Sequence, residues 1–277
     1  MPEPASDPRF EHLLGGLQVD APQPRLLFEI AGRVVGSLLP DDAELLRRAV
    51  PGLALDDDAL SLMPVCAGDT NASLNAIALA LRDAGRSARW RHERLPVLAD
   101  DGSLLGAIER GCMRVLGLRT LSVHLVGETR GPDGRIDGCW LQRRALHKDT
   151  DPGMLDNLAS GLVGLGSDAR SVEPLALAMR REAAEEAGLD EAALGALTAL
   201  GRWRLQMPVR EGMMIEDVIV YRALLAAGAR PDNVDGEVSE FVHLAHDEVL
   251  TRIDRGELTR GASLGQLACL RWHRSAD

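Results

Sequence analysis

The segment Glu173–Leu189, EPLALAMRREAAEEAGL, restricts the fold more than any other stretch of the chain. It reads as a helix over roughly 172–187 that is stopped by Gly188. At about 100° per residue, Glu185 lies roughly 60° to one side of Glu182 and Glu186 roughly 40° to the other. Three carboxylates therefore share one arc, and Arg181 can reach Glu185 one turn on. A charge run is ordinarily a solvated helix face. Here the acids sit in the C-terminal half, where the macrodipole disfavours negative charge. Like charges at these spacings also repel by a few tenths of a kcal/mol per pair. A hard divalent cation held by carboxylate oxygens offsets both penalties. The rest of the chain must then present this arc to a cleft.

Composition sets the surroundings of such a site. The chain has 277 residues, enough for one large domain or two ordinary ones, and a net charge of −11. An acidic chain does not attract nucleic acid or an anionic membrane through its overall field. An anionic substrate would need a local basic patch or a bridging metal. Only 3% of residues are aromatic, so the core must come from Leu, Val and Ala. Cys66, Cys112, Cys139 and Cys269 are scattered and form no CxxC pair. The expectation is buried free thiols in a reducing cytoplasm, not a structural zinc site. The first residues lack the basic start and apolar run of a signal peptide, and no apolar stretch approaches the ~20 residues that span a bilayer.

Patterning divides the chain near Gly117. Residues 1–20 read as a flexible segment with a short helix, 21–117 as an α+β domain, and 118–277 as a mixed β-sheet flanked by helices. Arg25–Pro40 reads as two strands around Ala31-Gly32, and DDAELLRRAV as a helix. Leu74–Arg86 is an amphipathic helix ending at Gly85. Residues 88–98 read as strand, Asp100-Asp101-Gly102 as a turn, and Leu104–Leu118 as a helix. Arg119–Glu128 and Ile136–Ala145 alternate like paired strands around a turn at RGPDGR. Residues 161–166 are glycine-rich. Glu216–Ala226 is a strand, VSEFVHLAHDEVLTRI a strand then a helix, and LGQLACLRWHR a closing helix.

From its first Glu onward, the 173–189 segment resembles the Nudix box, G-x5-E-x7-R-E-U-x-E-E-x-G-U, where U is bulky and apolar. An Ala stands at one U position. The leading Gly departs from the pattern: strict spacing puts Ser167 there, Gly166 is one residue early, and Gly161 fits if the following loop is longer. The resemblance implies an α/β Nudix-type sheet sandwiched between helices. It also implies that Glu182, Glu185 and Glu186 bind Mg²⁺ or Mn²⁺, that Arg181 orients a glutamate, and that a backbone carbonyl near Gly161 completes the metal shell. A further acid is expected from DGEVSEF, with Glu237 first and Glu240 second. Either Glu182 or Glu237 would act as the base.

Residues 80–240 are more narrowly similar to the Nudix branch that carries an extra N-terminal domain and is linked to thiamine diphosphate metabolism. The matching residues are Trp90-Arg91-His92-Glu93, Glu109-Arg110, Arg143-Arg144, Lys148 and Pro152-Gly153-Met154-Leu155-Asp156-Asn157. That branch implies hydrolysis of a small-molecule diphosphate, thiamine diphosphate or its oxidised forms, to the monophosphate and phosphate. Arg143, Arg144 and Lys148 would supply the local positive charge; otherwise they are a basic strand end in solvent. Trp90 with Arg91 would stack on a heteroaromatic ring; otherwise Trp90 belongs to the N-terminal core. Rival readings are a pyrophosphatase of ADP-ribose, nucleotide sugars or dinucleotides, and a Nudix-fold ligand sensor without turnover. A homodimer is left open.

Overall fold

A computed structural model describes residues 7–63, 69–234 and 236–276. The first part of the chain holds α1 (Pro8–Gly15), β1 (Leu26–Ile30), β2 (Arg33–Leu38), α2 (Pro40–Ala49), β3 (Leu53–Leu55), β4 (Ala59–Leu62) and α3 (Asp69–Asp83). It closes with β5 (Arg94–Leu98), β6 (Leu104–Glu109) and a single 3₁₀ turn at Arg110–Cys112. The second part runs β7 (Arg119–Arg130), β8 (Ile136–Arg144), β9 (Leu155–Asn157), β10 (Ala159–Leu162), α4 (Leu175–Ala187) and α5 (Glu191–Leu194). It continues with β11 (Leu197–Val209), β12 (Gly212–Leu224), β13 (Val238–Leu244), α6 (His246–Asp254) and α7 (Arg260–Ala276).

The main sheet has the order β11-β12-β7-β8-β13, with β10 added to β7 and β9 to β8. Only the central β12–β7 pair in it is parallel. Both faces of β7 are covered, so its residues split by the period of two. Leu121, Val123 and Leu125 join the core beneath α4, while Val126 joins the core beneath α7. This is the α/β sandwich expected from the sequence. A four-stranded sheet, β2-β1-β4-β3, and the β5–β6 hairpin pack with α2 and α3 around a separate apolar core.

Several local expectations are corrected. Residues 104–118 are not a helix: β6 pairs antiparallel with β5, from Arg94↔Glu109 to Leu98↔Leu104. Periodicity cannot separate a short apolar run in a strand from one in a helix. Tertiary packing decides, because Gly106 lies so close to α3 that a Cβ there would sit 2.7 Å from Leu74 Cδ1. The strand expected over 88–98 begins only at Arg94, and His92 has the left-handed φ of 58° that interrupts extension. The short helix expected within residues 1–20 is α1. Asp7 caps α1, and Phe10 is buried edge-on to Trp203 at 5.8 Å. Strand β11 was not anticipated, although it pairs with β12 along its length. Cys66 lies outside the described residues; Cys112, Cys139 and Cys269 are buried and free, as expected.

Candidate active site

Helix α4 is laid on the sheet by small residues. Ala178, Met179, Ala183 and Ala187 are buried against the β7 side, and the Ala at the apolar box position 183 permits a close approach. Gly188 ends the helix with φ 63°, where a side chain would be strained. Packing on this face leaves Glu182 and Glu186 pointing along the sheet towards β10, and Glu185 at the rim.

Glu186 is 4% exposed. Its Oε2 accepts hydrogen bonds from Gln142 Nε2 at 2.9 Å and from the Ser160 backbone N–H at 2.8 Å. It makes no ion pair among the described residues. Burial, outweighing the Ser160 hydrogen bond, pushes its carboxyl up to about 8. Burial also raises Glu182, against the opposing pull of Arg181. Glu182 lies directly on β10: a Cβ on Gly161 would sit 2.0 Å from its Cδ. Position 161 therefore has no room for a side chain while Glu182 lies where it does. Gly166 instead turns a loop inserted after β10, with its N–H bonded to the Ser171 carbonyl.

Arg181 gathers the remaining acids. Its guanidinium donates to Glu173 Oε2 at 3.0 Å, Glu182 Oε1 at 2.8 Å and Glu185 Oε2 at 3.0 Å. One cation thus fixes three carboxylates, including Glu173 despite the longer loop before it. The hydrogen bond to Glu173 is the main reason its own pKa is raised.

Opposite the helix lies a cleft of about 1310 Å³, lined by Glu173, Arg181, Glu182 and Glu186 on one side and by Arg144, Lys148 and Glu237 on another. Arg144 also pairs with buried Asp156 at 2.8 Å. Lys148 pairs with Glu237. Burial raises Glu237, but the Lys148 hydrogen bond and charge outweigh it and hold the carboxyl below its ordinary value. Of the PGMLDN run, Met154 and Asp156 line the cleft, and Asn157 lies buried next to Asp156. Asp156 accepts from Thr259 Oγ1 at 3.2 Å, and Asn157 contacts His124 Nδ1 at 3.2 Å while accepting from Gln266 at 3.0 Å.

Not every expected residue reaches the cleft. Arg143 points to the opposite side of β8, where it pairs with Glu240 at 2.6 Å and donates to the Gly153 carbonyl. Strand alternation puts Arg143 and Arg144 on different faces. Trp90 packs on the N-terminal core, with the Arg82 guanidinium 5.0 Å from its ring centre and His92 edge-on. Arg91 pairs with Asp149 beside an adjoining cavity. Arg110, Arg114 and Glu216 line the cleft without having been anticipated. The Glu109-Arg110 pair was visible as a motif, but reading 104–118 as a helix hid where the arginines point.

The donors suit a hard divalent cation. Two desolvated carboxylates with raised pKa values gain from a neighbouring positive charge, and oxygen is the preferred ligand of such ions. Fold and site together define a class: a mixed-sheet α/β protein in which an acidic helix, gripped by one arginine, faces a partly basic cleft.

No protein-family model matches the chain. It is 27% identical to Nudix hydrolase 20, chloroplastic, of Arabidopsis thaliana, over 66% of this chain and 47% of that protein. It is 30% identical to Nudix hydrolase 24, chloroplastic, of the same plant, over 49% of this chain and 35% of that protein. An uncharacterized Saccharomyces cerevisiae protein is 28% identical over 63% of this chain and 53% of its own length. The chain thus spans between about a third and a half of the curated relatives it matches. A solved Deinococcus radiodurans structure aligns with 65% of the chain at 24% identity and a TM-score of 0.47. The chain is thus similar to Nudix hydrolases over up to about two thirds of its length. Among the described residues no helix is long and apolar enough to cross a membrane.

Proposed function

We propose that this chain is a Nudix pyrophosphohydrolase that cleaves a diphosphate linkage in a small molecule with the help of Mg²⁺ or Mn²⁺. The observation that carries this reading is the pairing of two desolvated carboxylates, Glu182 and Glu186, with Arg144 and Lys148 across one cleft. Glu182, Glu186 and the rim residue Glu185 would hold the cation, with the Gly161 carbonyl beside them. Bound there, the cation would polarise the phosphoryl group and lower the pKa of a water molecule. Arg181 keeps the carboxylates in place. Arg144 and Lys148 neutralise the diphosphate oxygens and the charge that builds on the leaving group. Glu237, paired with Lys148 in the same cleft, or Glu182 would deprotonate that water.

The likeness of residues 80–240 to the thiamine diphosphate branch makes thiamine diphosphate and its oxidised analogues the first compounds to test. ADP-ribose and nucleotide sugars present the same diphosphate and form the alternative. Leu205, Met207, Pro208 and Met214 give the cleft an apolar wall for the rest of the substrate. The purified chain with Mg²⁺ should release phosphate or a monophosphate from oxidised thiamine diphosphate. Release from nucleotide substrates alone would remove the thiamine reading but keep the hydrolase. Tight binding without release from any diphosphate would leave only a sensor.

A further inference from the structure

A second group of ligand-type side chains lies on the α7 side of the sheet. Glu128, five residues beyond Val123 on β7, is roughly 17 Å along the strand from the register of Gly161. It is fully buried. Its two carboxylate oxygens have divided roles. Oε2 accepts from Arg222, whose guanidinium is stacked 4.4 Å from the Trp272 ring centre. Oε1 lies 2.7 Å from His273 Nε2 and 3.2 Å from His246 Nε2. Cys269 on α7 is buried beside them. Ligand atoms of Glu128, Cys269 and His273 all fall within 4.8 Å of one another. Cys269 and His273 are one helical turn apart on α7, a pairing that a search for CxxC in the sequence passes over.

We propose that Glu128, Cys269 and His273, with His246 beside them, form a second cation site selective for Zn²⁺ or a similar borderline divalent ion, separate from the acidic helix. A carboxylate, a thiolate and one or two imidazoles are the donor mixture that zinc prefers, whereas Mg²⁺ takes oxygen. Bonds of about 2.0–2.3 Å in a tetrahedron place ligand atoms roughly 3.3–3.8 Å apart. The His246–Glu128 spacing already approaches this, and His273 would withdraw by about half an ångström. On binding, the Cys269 proton leaves to solvent and each imidazole presents an unprotonated Nε2. Arg222 remains on the outer oxygen and orients the carboxylate. The ion would tie α6 and α7 to the end of β7.

Titration of the full chain with Co²⁺, followed by absorption, tests this. One equivalent should give tetrahedral visible bands with a thiolate charge-transfer band in the near ultraviolet, and Zn²⁺ should abolish both. The Glu182→Gln, Glu186→Gln double variant should keep the signal. Cys269→Ser should lose the near-ultraviolet band, and His273→Asn, at a partly exposed side chain, should weaken binding about tenfold to a hundredfold. Circular dichroism and Mg²⁺-dependent turnover report on folding in both variants. No thiolate band in the wild type, or a spectrum lost only in the double glutamate variant, overturns the proposal.

Discussion

Gly161 and Glu182 share one volume: the carboxylate of Glu182 occupies the space that a side chain at position 161 would need. The glycine on β10 therefore sets how deep the helix carboxylate sits. Gly161→Ala should displace Glu182 by about 1 Å, and turnover should fall roughly a hundredfold with a modest change in Tm. Equal activity in this variant would mean that the depth of Glu182 is irrelevant.

Glu186→Gln preserves the size of the buried side chain and can still accept from Gln142 and Ser160. It removes the negative charge a cation requires. We expect an unchanged or slightly raised Tm without metal, weaker Mg²⁺ binding, and turnover lower by about two to three orders of magnitude. Near-normal turnover under saturating Mg²⁺ would exclude Glu186 from the metal shell.

The raised Glu186 carboxyl couples stability to pH. Between its ordinary value of 4.5 and about 8, the folded metal-free chain holds a proton that the unfolded chain has released. The associated stability is complete below that ordinary value and is lost as pH climbs through 8. The Tm contribution from this group should therefore decline across the window, and the Tm gain on adding Mg²⁺ should grow across it. Comparison with Glu186→Gln isolates the effect; an identical pH profile in both proteins would show that Glu186 is not its source.

Arg143 and Arg144 should part company. Arg143→Ala breaks a rim pair with Glu240 and should change turnover less than about twofold, in line with the small worth of exposed ion pairs. Arg144→Ala leaves Asp156 buried without its cation, at a cost of about 3–5 kcal/mol. It should also raise KM for a diphosphate substrate. Denaturant melts and steady-state kinetics on both variants would decide; a larger kinetic loss in Arg143→Ala would invert the assignment.

Arg181→Lys retains one positive charge but cannot fork to Glu173, Glu182 and Glu185 together. Turnover should drop about tenfold or more while Mg²⁺ still binds. A fully active lysine variant would reduce Arg181 to a simple counter-charge.

The sequence by itself determined the acidic helix, its stop at Gly188, the hairpins turning at Ala31-Gly32 and at RGPDGR, and the reach of Arg181 to Glu185 one turn on. All of these depend on spacings of a few residues, which backbone geometry converts directly into neighbours. Only the tertiary structure decided that Leu104–Glu109 is a strand, that Gly161 and not Gly166 meets Glu182, and that Arg144 enters the cleft while Arg143 leaves it. The same holds for the arrival of Arg110 and Arg114 from the N-terminal part, and for the meeting of Glu128 with α7. Those outcomes depend on which distant segments pack together, and a local pattern of apolar and charged residues is compatible with more than one partner.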